Sequence, residues 1–122
     1  MEPSFELDFK IPGSTQMAFE IGSKEGIVSI RFDEGSIFFT HCLFVQFEFL
    51  HHKNSNFFDP SILSLNNFAL YKVKDRPLVY DLMILNRVHE RHQDRMFNEY
   101  LHFIIKSRDI AFECIASGYN YE

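Results

Sequence analysis

The sequence predicts an α+β protein, a curved antiparallel β-sheet of about five to seven strands packed against one main helix and one short helix. Three observations predict it. Residues 36–50, SIFFTHCLFVQFEFL, run for fifteen positions without glycine, proline, lysine or arginine and read as one long strand. The chain carries fifteen Phe and five Tyr but no Trp, and such rings suit a pleated, half-buried surface. Over residues 78–95, Leu78, Leu82, Leu85, His89 and His92, with Met96 just beyond, fall at the three-and-four spacing of a helix.

The elements follow in order. SFELDFK, residues 4–10, alternates Phe5, Leu7 and Phe9 with Glu6 and Asp8, a strand with one wet face that ends at Pro12-Gly13. Residues 16–21 place Met17, Phe19 and Ile21 on one side, and residues 27–32 place Val28, Ile30 and Phe32 on one side. Asp33-Glu34-Gly35 is a glycine-containing hairpin turn into the long strand. There, Ile37, Phe39, His41, Leu43, Val45, Phe47 and Phe49 share a face that reads as core throughout. The opposite face fades from Phe38 to the polar Gln46 and Glu48. A strand of this length is expected to bend or bulge.

HHKNSN, residues 51–56, is a loop, and Asp59-Pro60 reads as an N-cap followed by proline at the first helical position, opening a short helix to about Leu65. FALYKVK, residues 68–74, is a further strand. The main helix follows, with Arg87, Arg91 and Arg95 forming a basic stripe. YLHFIIK (100–106) and IAFECIAS (110–117) form a closing hairpin, with a tail at 119–122.

At 122 residues, with 46% hydrophobic and 24% charged side chains, the chain fits one globular domain, 1–122. MEPSFELDFK mixes acids with hydrophobes where a secretory segment would not, and no apolar run is long enough for a bilayer, so a cytoplasmic protein is expected. Cys42 and Cys114 then read as two reduced, buried thiols, with a disulfide or a zinc pair as the minority reading.

The net charge of −5 is unevenly placed: residues 1–50 hold eight acids against three bases, and 51–122 hold nine of each. An acidic N-terminal part disfavours nucleic acid and anionic lipid and suits a basic protein partner. Glu20, Glu25, Asp33, Glu34 and Glu48 are the candidate contacts. A long strand at a sheet edge can also pair with a copy of itself, which keeps a homodimer open.

Catalytic signatures are sparse. His89 and His92 flank Glu90 in HERH, whereas zinc-protease helices need histidines four apart. His41 stands on an otherwise apolar face and reads as a core histidine satisfied by a buried polar group, with a catalytic or ligand role as the alternative; His102 poses the same question. No GxSxG, GxGxxG or GxxxxGK[ST] occurs, and no cofactor is expected.

The segment YLHFIIKSRDIAFECIASGY resembles the closing hairpin of small bacterial toxin-immunity proteins, of contact-dependent growth inhibition and polymorphic toxin systems. The resemblance implies a small cytoplasmic, non-enzymatic protein that binds a cognate toxin, with a nuclease the favoured class, and blocks its active site. Two rivals stay open. One is a small apolar-ligand binder whose cavity is lined by Phe39, Leu43 and Phe47. The other is a metal-dependent hydrolase built on His89 and His92.

Overall fold

A computed structural model describes residues 4–13, 16–21, 27–50, 60–74 and 76–122. The expected Asp59 cap, the His51-His52 pair and Glu25 lie outside these residues. Alternating segments become strands β1 (Phe5–Lys10), β2 (Ala18–Ile21), β3 (Val28–Arg31), β4 (Ser36–Thr40), β5 (Phe44–Phe49), β6 (Ala69–Val73), β7 (Leu101–Lys106), β8 (Ile110–Ala116) and β9 (Gly118–Tyr121). One helix, α1 (Pro77–Asn86), and 3-10 turns at Pro60–Ser64 and Asp94–Phe97 complete the described elements. The α+β class and the antiparallel pairing hold. The strands, however, divide into two sheets, ordered β1-β6-β7-β8-β5 and β2-β3-β4-β9.

The division happens inside the stretch expected to be one strand. On both sides of a three-residue break, this stretch pairs with 110–121: 37–40 of β4 against β9 and 44–49 of β5 against β8. Four steps separate Thr40 from Phe44 on one side of this ribbon, while three separate Ile115 from Gly118 on the other. The extra residue is a bulge, which bends the ribbon from one sheet into the other. His41 absorbs the bend at φ 52°, in the left-handed region that costs a non-glycine residue roughly 1–2 kcal/mol. Polar contacts hold it there: Ser117 N–H donates to the Thr40 carbonyl at 2.9 Å, and the Ser117 hydroxyl lies 3.0 Å from His41 Nδ1. His41 is therefore exposed, not a core histidine.

Between the sheets lies the main core. Val28, Ile30, Phe32, Ile37 and Phe39 come from one side, and Leu70, Phe103, Ile105, Phe112, Cys114 and Ala116 from the other. Phe39 is 0% exposed, with ring centroids of Phe103 at 5.5 Å and Phe112 at 5.6 Å. Tyr119 adds a third ring, tilted at 6.3 Å, and its hydroxyl donates to Asp8 beyond the core. The face of residues 36–50 expected to be core throughout is core only through Phe39. After the corner, Val45 packs inward, but Leu43, Phe47 and Phe49 are about half exposed.

The outer face of the five-stranded sheet is covered in two places. Ile62, Val73, Ile104 and Ala111 cluster with Phe5, Leu50 and Leu65 beside the first 3-10 turn. Val79, Phe97 and Ile115 cluster with Phe44, Leu78, Leu82, Met83 and Tyr100 under α1. Arg76 anchors the start of α1, because its Nη1 donates to the carbonyls of Phe97 (3.3 Å), Asn98 (3.2 Å) and Tyr100 (2.8 Å). The helix was expected to reach Arg95, but it stops at Asn86. Beyond that point the sequence offers few apolar side chains to bury, and polar contacts turn the chain back. Leu85, expected on the core face, is 69% exposed and Val88 is 83% exposed.

Candidate functional site

Two polar groupings stand out, one on the outer side of the five-stranded sheet and one around the β3–β4 turn. The first arises from strand alternation in the five-stranded sheet. With Phe103, Phe112, Cys114 and Val45 turned inward, alternation sends His102, Glu113, Gln46 and Glu48 outward. Glu113 pairs directly with Gln46 on β5 and with Ile104 on β7, which sets His102 diagonally across from it. His102 Nε2 lies 2.7 Å from Glu113 Oε2, and the Gln46 amide donates to Glu113 Oε1.

This grouping is covered although it faces away from the main core. His102 is 5% exposed and Glu113 7%, because Ile115 belongs to the cluster under α1 and Ile104 and Ala111 to the cluster by the first 3-10 turn. The polar group forms a seam between two apolar covers. Inside it, His102 Nδ1 and Glu48 Oε2 are shielded from solvent and have no hydrogen-bond partner among the described residues. Chemically, Glu113 orients the imidazole through Nε2 and leaves Nδ1 as the open nitrogen. Both nitrogens are sealed from solvent here, so the pair acts as a structural clasp across β5, β7 and β8.

The second grouping surrounds the β3–β4 turn. Glu20 pairs with Ser29 on the outer face of the four-stranded sheet and lies 3.7 Å from Arg31. Asp33 Oδ1 accepts the Gln16 N–H at 3.2 Å. The Glu34 carboxylate lies over Gly13, whose φ of 59° only glycine adopts easily; a Cβ there would meet Glu34 Oε1 at 2.9 Å. Beside these acids, Gln16, Met17, Ala18, Arg31, Phe32 and Asp33 line an open cleft of about 390 Å³. Glu20, Asp33 and Glu34 are all exposed.

The structure thus brings three of the sequence-predicted contacts to one side of the molecule and leaves Glu48 out. Glu48 and Gln46 were expected where the sheet emerges from its cover. They lie instead in the covered seam, because the outer face of β5 is the one packed under α1 and the 3-10 turn. His102, the weaker histidine in the sequence reading, is the buried one. The only signal that could have marked it was the acid in FECIA, one strand away.

Neither rival gains its expected site among the described residues. His92 has both ring nitrogens engaged, Nδ1 by Asn86 Nδ2 at 2.8 Å and Nε2 by Asp94 Oδ1 at 2.5 Å. His89 is exposed in the turn after α1, so the two histidines do not share a helix face. Among the described residues no group of three His, Cys, Asp or Glu side chains could hold a metal. Phe39 is sealed in the core while Leu43 and Phe47 are half exposed, so these three do not line one cavity.

Arg87 forks onto Asp94, Nη2 at 2.8 Å and Nε at 3.2 Å, and this contact, then that of His92, pulls the Asp94 carboxyl down to about 2. A depressed folded value favours the fold above the ordinary carboxylate range, and the contribution is lost as pH falls through about 2. An NMR titration is expected to place the Asp94 midpoint near that value, and Arg87→Gln to raise it. An ordinary midpoint in the intact protein would remove the ion pair.

No family model, curated protein or solved structure matches the chain. What stands is the architecture: a two-sheet α+β sandwich with a polar seam on the outer side of the five-stranded sheet and exposed acids near the β3–β4 turn. No helix among the described residues is long and apolar enough to cross a membrane.

Proposed function

We propose that the chain is a non-catalytic immunity protein, which binds a cognate bacterial toxin domain and occludes its active site. The observation that carries this reading is the set of exposed acids near the β3–β4 turn, Glu20, Asp33 and Glu34, beside an open cleft lined by Gln16, Met17, Ala18, Arg31, Phe32 and Asp33. Exposed carboxylates of this kind suit the charged head of a lysine or arginine. The surplus of acids in residues 1–50 would steer a basic partner such as a nuclease domain toward it. The C-terminal resemblance to immunity proteins supports the same reading.

The test is a pull-down and titration against the product of the neighbouring gene. A complex is expected, and the double variant Glu20→Lys/Glu34→Lys should weaken it at least tenfold, about 1.4 kcal/mol, mainly through slower association. Absence of any complex at micromolar concentration would sink the proposal. A complex that tolerates this variant but is lost in Leu85→Glu/Val88→Glu would move the contact to the exposed apolar side of α1.

A further inference from the structure

Arg76, just before α1, sits at φ 44°, in the left-handed region, and such strain persists where the surroundings over-determine it, often at ligand clamps. Its Nη1 is held by the carbonyls of Phe97, Asn98 and Tyr100 at 3.3, 3.2 and 2.8 Å. A guanidinium also donates from Nε and Nη2. In Arg76 these two make no hydrogen bond among the described residues, and no described carboxylate lies within ion-pair distance. The edge left open is the one that Arg87, in the same molecule, presents to the Asp94 carboxylate, Nη2 at 2.8 Å and Nε at 3.2 Å. Beside it, a cavity of about 100 Å³ lies between α1 and the end of the second 3-10 turn, lined by Arg76, Val79, Tyr80, Met83, Phe97 and Asn98. Phe97 and Asn98 both line this cavity and hold Nη1, so the guanidinium stands at its edge. Val79 and Phe97 are buried and Met83 is partly buried, so much of the lining is apolar.

We infer that this cavity binds a small aliphatic monocarboxylate, its carboxylate on the open Nε–Nη2 edge of Arg76 and its short tail against Val79, Met83 and Phe97. The Nε–Nη2 edge takes a carboxylate through two parallel hydrogen bonds, which a neutral molecule of the same shape does not match. The ligand supplies the counter-charge that Arg76 lacks within the fold. The three carbonyls on Nη1 hold the fork in place beforehand, so little side-chain freedom is lost on binding. A space smaller than the about 150 Å³ that takes a benzene ring selects a short aliphatic tail. None of these residues belongs to the acidic grouping at the β3–β4 turn, so this site and the proposed toxin contact stand or fall separately.

The experiment titrates sodium isobutyrate into the folded chain near neutral pH and follows backbone amide signals by NMR. Saturable shifts are expected at Val79, Met83 and Asn98. Isobutyramide, the neutral analogue of the same shape, should bind at least about tenfold more weakly. Arg76→Lys, which keeps the charge and loses the fork, should weaken isobutyrate by a similar factor. Because Arg76 also anchors α1, a thermal melt accompanies that variant. Met83→Trp fills the cavity, leaves Arg76 in place and is expected to abolish binding. Shifts that do not saturate or that miss these residues, equal binding of the amide, or undiminished binding by either folded variant would overturn the proposal. Tighter binding of N-acetylvaline than of isobutyrate would overturn it too, by assigning the cavity to a peptide end.

Discussion

Replacing His102 by Ala is expected to cost about 3–5 kcal/mol, because it leaves the Glu113 carboxylate under its apolar covers with Gln46 as its remaining side-chain donor. Removing one member of a buried pair exposes the desolvation penalty of the other, so the loss exceeds what the pair contributes while intact. Domains of this size are stable by about 5–15 kcal/mol in total, so the variant approaches the unfolding threshold. The double variant His102→Leu/Glu113→Met removes both polar groups at similar volume and should recover most of the loss. Gln46 is only partly buried and can turn its amide to water. Urea unfolding of the two single variants and the double variant measures this directly. A cost under about 1 kcal/mol for His102→Ala would mean that water reaches the seam and that it is not a clasp.

The second large effect belongs to Phe39. Its ring is enclosed by Phe103, Phe112 and Tyr119, two residues before the corner at His41, and truncation to Ala removes a central contact between the two sheets. A cost of about 3–5 kcal/mol is expected, as for other fully buried Phe side chains. Phe47 has the same parity in the same ribbon but is half exposed, so Phe47→Ala should cost clearly less. Thermal melting of the two variants side by side decides the point. Equal destabilisation would mean that the inward face of β5 is covered after all, as the sequence alone suggests.

These two sites show where sequence reasoning reached its limit. The alternation of Phe5, Leu7 and Phe9, and that of Val28, Ile30 and Phe32, made β1 and β3 legible, since period two is a local property of the backbone. YLHFIIK and IAFECIAS were legible as β7 and β8 from two apolar runs around Ser107-Arg108-Asp109. The start of α1 was legible to within a residue from the three-and-four spacing that begins at Leu78, but its end was not. The Arg87–Asp94–His92–Asn86 contacts that turn the chain back have no sequence period. Residues 119–122 looked like a tail because four residues carry little pattern, and only pairing with β4 makes them β9.

The candidate site was partly legible. Three of the predicted acids, Glu20, Asp33 and Glu34, are exposed on one side of the molecule, as an uneven charge distribution suggests; Glu48 is not among them. What escaped is which face of a strand is covered. Alternation groups Gln46 with Glu48 and groups Phe47 with Phe49. Whether either group meets solvent depends on where the opposing sheet ends and where α1 lies.

The stretch 36–50 holds both halves of this result. By itself the sequence determined that these residues are extended, that Ile37 and Phe39 share a face, and that so long a strand must bend. The tertiary structure alone decided that the bend falls at His41, where one extra residue against 115–118 carries the ribbon into a second sheet. It decided too that His102 meets Glu113. The reason is physical: side-chain alternation is set by covalent geometry over a few residues, whereas register and cover are set by free energies summed over partners far away in the chain.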